Sequence, residues 1–174
     1  MANFCKASWG KAILFSGWLV LSATFVWALP QDEALKLPDG LSEVESRAIQ
    51  KEQNPKSHVN AVIKVAEQRL RGAVKMAETG QFAQALQAVL LYESLYSYAD
   101  SFARSLPDQA QKDRNKCLKQ VEQAIFKQNR PLEAVRRDLP FNYREQTDPV
   151  VESLKRIRLS ALNDVLGGGT FIKE

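Results

Sequence analysis

Residues 82–105 read FAQALQAVLLYESLYSYADSFARS, and this stretch decides the fold. Phe82, Ala85, Val89, Tyr92, Tyr96, Ala99 and Ala103 recur at intervals of three and four, which places them on one face of an α-helix. Ala88, Leu91, Leu95, Tyr98 and Phe102 form a second stripe beside the first. Two adjacent apolar stripes need neighbours on two sides, so the spacing predicts the central helix of an all-α assembly. The aromatic side chains are what those stripes demand of a core, and this reading takes precedence over a pocket for an apolar or sugar-like ligand. Asp in place of Leu91 or Leu95 is expected to unfold the domain by burying an unpaired charge.

Outward from this helix the same period continues. Towards the N-terminus, Val59, Ile63, Ala66, Leu70, Ala73 and Ala77 make a narrow stripe. Its helix is expected to start at a Ser57 N-cap and to stop at Gly80, where glycine enters the left-handed conformation without steric penalty. Towards the C-terminus, Leu106-Pro107-Asp108 makes a break, after which Leu118, Val121, Ile125, Leu132, Val135 and Leu139 keep the rhythm across Pro131. A proline there removes a backbone donor, so either one kinked helix or two helices meeting near Asn129-Arg130 follows, and the kink is the preferred reading. Residues 139–143 are expected as a loop. Asp148 then caps a last helix with Pro149 at its first position, Val150, Leu154, Ile157, Ala161 and Val165 facing inward, and Gly167 to Gly169 ending it. The glycines follow a helix C-terminus rather than precede an N-terminus, so they read as a stop before a tail at 170–174 and not as a phosphate loop. The expected fold class is therefore all-α: an antiparallel helical bundle of about four helices over residues 57–169.

Residues 29–56 are acidic and poor in apolar side chains, with Pro30, Pro38, Gly40 and Pro55 as breakers, and read as a linker. Inside it Ser42 and Glu45 have capping-box spacing, which predicts a short helix from about Glu43 to Gln53. Residues 1–28 read as a signal peptide. Lys6 and Lys11 precede an apolar run from Ala12 to Val26, and Val26-Trp27-Ala28 places small residues where a signal peptidase needs them. The alternative is a retained membrane anchor over residues 12–29, about 18 residues and close to the shortest span that crosses a bilayer. Cleavage after Ala28 leaves 22 Lys and Arg against 20 Asp and Glu, a net charge of +2. It also removes Cys5 and leaves Cys117 as the sole thiol, so no intrachain disulfide can form.

Gly80-Gln81-Phe82, followed by Ala85-Leu86 and the aromatic-rich helix, resembles the turn between the paired helices of a tetratricopeptide repeat. The resemblance covers about one repeat, with no second copy near a period of 34 residues, and implies protein or peptide binding.

Candidate chemistry is sparse. His58 is the single histidine, expected at the surface beside its cap. One histidine and one distant cysteine fall short of the four donors a Zn²⁺ site needs, so no metal or cofactor is expected. The same histidine would have to serve any Ser-His-Asp triad, and no nucleophile-elbow pattern accompanies it. Cys117 is expected as a small buried side chain, the alternative being an intermolecular disulfide. Glu67 with Arg71, Asp108 with Lys112 and Glu152 with Arg156 have the spacing of solvated ion pairs on helix faces. Residues 104–158 hold 13 cations against 8 acids, densest at Arg136-Arg137 and at Lys155, Arg156 and Arg158. Those five residues are the candidate partner-binding set, facing another envelope protein or an anionic surface. Nucleic acid would need a larger basic excess. The functional expectation is an exported, non-catalytic helical domain acting as a protein-interaction or structural module of the cell envelope. The alternatives are a small envelope hydrolase or ligand-binding protein using dispersed carboxylates, and a membrane-anchored adaptor.

Overall fold

The computed structural model describes residues 35–167. The leader and anchor readings, Pro30, and the glycines and tail beyond Gly167 lie outside the described residues. Within them the chain is all-α: α1 (Glu43–Gln50), α2 (Pro55–Glu78), α3 (Phe82–Ser105), α4 (Gln111–Asp138) and α5 (Phe141–Val165), with a 3₁₀ turn at Asp108–Ala110.

α3 touches α2, α4 and α5, as its two stripes require. Tyr92 and Leu95 have no solvent exposure and Tyr96 has 1%. Leu91, by contrast, is only half-buried, at the edge beside the lead-in. Helices joined by a turn run in opposite directions. Between α3 and α5, Ser153 donates to Glu93 and Arg104 donates to Ser160 and pairs with Asp164, so these two run the same way.

Three boundaries depart from the sequence reading. α2 starts three residues early, at Pro55 with its cap at Asn54 instead of Ser57, because the Asn54 side chain accepts from the amides of Lys56 (3.0 Å) and Ser57 (3.4 Å). Pro55, read as a breaker, occupies the first helical position, where its missing N–H is one the helix could not use. α1 carries the expected Ser42–Glu45 capping box but ends at Gln50. α4, by contrast, is one helix through Pro131, as the preferred reading had it, with Ile125, Leu132 and Val135 buried on both sides of the proline. The largest departure is α5, which begins at Phe141 and passes through Pro149 rather than starting there.

The reason lies in Arg144. Its guanidinium donates to the carbonyls of Arg136 (3.0 Å), Arg137 (3.2 Å) and Leu139 (3.1 Å), at and just beyond the C-terminus of α4. Those oxygens have no helical partner, and helical backbone from residue 141 onward is what brings Arg144 over them. Tyr143 turns inward against Phe82, while Phe141 is 71% exposed.

The acidic lead-in is packed against the helices. Ile49 is fully buried, Leu37 and Leu41 rest on the core, and Glu45 pairs with Arg69 of α2. A few apolar side chains scattered through a polar segment make a weak pattern, which is why composition alone suggests a linker. Gly80 ends the α2 region with φ +78°, the left-handed conformation expected of it.

Candidate functional site

The basic residues form two groups on the α4–α5 hairpin. Arg136 and Arg137 stand at the end of α4, next to the turn. Arg136 pairs with Glu133 (2.9 Å) and with Asp148, and Arg137 lies 3.4 Å from Asp138. Lys155, Arg156 and Arg158 sit on α5, and Asp148 and Arg158 are about 15 Å apart along the helix axis at the usual rise per residue. The structure thus separates the five residues that composition grouped. Arg156 is exposed, and Glu152 pairs with Lys155 at 2.7 Å instead of with Arg156. Asp108 likewise pairs with Arg114 rather than Lys112, whereas Glu67 and Arg71 meet at 3.5 Å.

Lys155 and Arg158 gain significance from what surrounds them. Phe126 of α4, a residue outside the core stripe, is 62% exposed, and the Arg158 guanidinium lies 4.7 Å from its ring centroid. Arg158 also donates to Glu122 at 3.0 Å. Between α4 and α5 a cavity of 160 Å³ opens here. Its exposed residues are Phe126, Asn129 and Lys155, with Arg158 beside them, and its buried wall includes Tyr92, Ile125, Leu132 and Leu154. Tyr92 is wholly buried and its hydroxyl has no hydrogen-bond partner among the described residues. Burial holds that phenol well above its ordinary pKa, so it is a neutral group able to donate. The exposed Phe126 ring and Arg158, residue types enriched at protein interfaces, thus border a small cavity with an apolar wall.

The rest of the aromatic interior is satisfied. Tyr96 donates to Gln128 at 3.0 Å and packs edge-on against Tyr92. His58 corrects the surface expectation: it is 9% exposed, bonds the Tyr98 hydroxyl through Nε2 at 2.9 Å and stacks on Phe102. The early start of α2 rotates His58 inward, and the Glu52 carbonyl, 3.3 Å from Nδ1, engages the other ring nitrogen. Cys117 is fully buried, and burial, with Asp113 nearby, pushes its thiol above the ordinary range despite Lys56 and Lys116. Among the described residues no group of three or more His, Cys, Asp or Glu is placed to hold a metal ion, and no helix is long and apolar enough to cross a membrane.

No family model, curated protein or solved structure matches this chain. Any functional reading must therefore be argued from the chain's own residues. The sequence reading named Lys155 and Arg158 through charge density but did not name Phe126. The available signal was a large apolar residue directly following a stripe residue, Ile125, and flanked by Lys127. Tyr92 was assigned to the core, where it lies, but nothing in a sequence states that its hydroxyl has no partner.

Proposed function

We propose that the chain is an exported, non-catalytic bundle of four long helices that serves as a protein-interaction module of the cell envelope, docking an acidic partner segment on the α4–α5 face. The carrying observation is Phe126, 62% exposed beside Arg158 and Lys155 at the mouth of an apolar cavity. The cavity has the size for one apolar side chain of the partner. A carboxylate beside that anchor would exchange for Glu152, whose exposed pair with Lys155 contributes only about 0–1 kcal/mol. Export rests on the leader pattern of residues 1–28. The hydrolase alternative gains nothing from Glu45, whose carboxyl is held below the usual range, opposite to what a general acid needs.

A photo-crosslinking residue at position 126 in the native envelope tests the docking face, with position 44 on exposed α1 as the control. A discrete adduct from 126 that disappears with Lys155→Glu supports the proposal. No adduct, or the same adducts from both positions, overturns it. N-terminal sequencing tests export: a mature chain beginning at Leu29 supports cleavage, and an intact N-terminus supports the anchored adaptor instead.

A further inference from the structure

Charge is divided unevenly among the four long helices. α2 and α4 together carry 13 Lys and Arg against 6 Asp and Glu, a net +7, whereas α3 and α5 carry 5 against 6, a net −1. α2 and α4 are packed neighbours, each antiparallel to α3 and so parallel to each other, and α5 does not touch α2. The positive excess is therefore gathered on one side of the bundle.

Much of it is unpaired. On α2, Lys56, Lys64 and Lys75 are exposed and have no ion-pair partner among the described residues. On α4 the same holds for Lys112, Lys119, Lys127 and Arg130. Glu67 and Asp113 are spent on Arg71 and Lys116, which leaves Glu78, in the last turn of α2, as the one exposed acid of the two helices without a cation among the described residues. At about 100° per residue, Lys64, Arg71 and Lys75 fall within about 40° of one another around α2. Lys112, Lys119 and Arg130 fall within about 20° around α4, opposite the buried Val121. Arg71 and Lys127 both line the groove between the two helices, so the cations of both open on a common side. Lys56 to Lys75 and Lys112 to Arg130 each cover about 27–29 Å, along axes about 8–10 Å apart.

We infer that the α2–α4 side lies on an anionic lipid surface, held by charge and without insertion. Two parallel rows make a plane that meets a bilayer with both rows at once, whereas a single-stranded polyanion tracks one. Six of the seven unpaired cations are lysines, compact point charges suited to a diffuse surface potential rather than to the bidentate or stacked contacts that arginine makes. α2 has no Phe, Tyr or Trp, and the one aromatic residue of α4, Phe126, lines the cavity towards α5, so bases would find nothing to stack on. Phe126 is also the one exposed large apolar residue of the two helices among the described residues, so the contact is electrostatic. The leader pattern of residues 1–28 independently points to a chain that meets a membrane.

The test places a fluorescent residue at position 123, on this side, or at position 87, on exposed α3, in the full chain, with a spin-labelled headgroup lipid as quencher. Quenching by position reports which side meets the lipid whether or not the leader is retained. On phosphatidylcholine vesicles with about 30% phosphatidylglycerol, at about 0.05 M salt, quenching at 123 should exceed that at 87 at least threefold. The excess should vanish at about 0.5 M salt, where charges are screened beyond about 4 Å. Each basic residue at the headgroups is worth about fivefold in partitioning, so Lys64→Gln with Lys127→Gln loses about 25-fold and the excess should fall at least threefold. Lys51→Gln with Arg156→Gln removes the same charge from exposed positions elsewhere and should leave it nearly unchanged. Phe126→Ser should not alter the pattern, so the α4–α5 docking face stands or falls separately. Equal quenching at both positions, equal losses in both double variants, or the same excess on pure phosphatidylcholine overturns the inference. Displacement from the vesicles by a duplex DNA of about 20 base pairs at equal phosphate concentration also overturns it and assigns the side to nucleic acid.

Discussion

The α2–α3 and α4–α5 hairpins are similar in length and unlike in finish. In the first, a glycine closes the turn, the buried histidine has partners at both ring nitrogens and every aromatic ring is buried or half-buried, although the Tyr92 hydroxyl of α3 has no partner among the described residues. In the second, both helices carry interior prolines and two phenylalanines face solvent. The two hairpins differ in what they leave to water, and only the second presents large apolar rings to it.

The sharpest way to break this contrast is a charge in each hairpin. Leu95→Asp, at a fully buried site, should cost about 3–5 kcal/mol and abolish cooperative thermal melting by circular dichroism. Phe126→Asp should move the melting temperature by no more than a degree or two, its ring being mostly in solvent already. Equal damage from both would mean that the second hairpin is as closed as the first.

Next in size are the backbone substitutions, expected to have opposite signs. Pro131→Ala should stabilise by about 1–3 kcal/mol in denaturant titration, because it restores a helical hydrogen bond and removes a steric clash. Gly80→Ala should destabilise by about 1–2 kcal/mol, because an alanine at φ +78° is strained although no atom obstructs its Cβ. A smaller pair concerns two adjacent tyrosines. Tyr96→Phe leaves Gln128 unpaired and should cost about 1–2 kcal/mol, whereas Tyr92→Phe removes a hydroxyl with no partner and should be neutral or slightly stabilising. If Tyr92→Phe is as costly as Tyr96→Phe, the Tyr92 hydroxyl is satisfied in solution and the cavity is not poised for a ligand.

The smallest effect lies outside both hairpins. Burial tends to raise the Glu45 carboxyl, but hydrogen bonds from Arg69 and Ser42 outweigh it and the net shift is downward. A depressed folded value means that this stabilisation is complete above the ordinary glutamate range and is lost as pH falls through the folded value. Hydrogen exchange at the Ile49 amide should therefore accelerate on acidification before the long helices respond. Glu45→Gln should exchange fast at both pH values, and an unchanged profile in that variant would remove the role of the pair.

How far the sequence could be read follows the same division. The stripes of α2 and α3 are periodic and uninterrupted, so their faces and the end of α2 at Gly80 are legible. At α5 a local rule misled: Asp148-Pro149 is a good helix start, yet capping of the α4 carbonyls by Arg144 selects a start seven residues before Asp148. Proline marks what a backbone cannot donate, not where a helix must end. Asn54 and His58 show the same limit, since a three-residue change in a cap decides whether a side chain meets water or Tyr98. At the candidate site, charge density picked out Lys155 and Arg158, but only the packed structure reveals Phe126 beside them and separates Arg136 and Arg137 from them.

The three carbonyl oxygens that accept from Arg144 belong to residues translated before it. While the chain emerges from the ribosome, the end of the fourth helix must fray until residue 144 is free to reach back, so the two halves of that hairpin are born dependent on each other. A fragment cut at residue 140 would carry all of the fourth helix and still be unable to finish it.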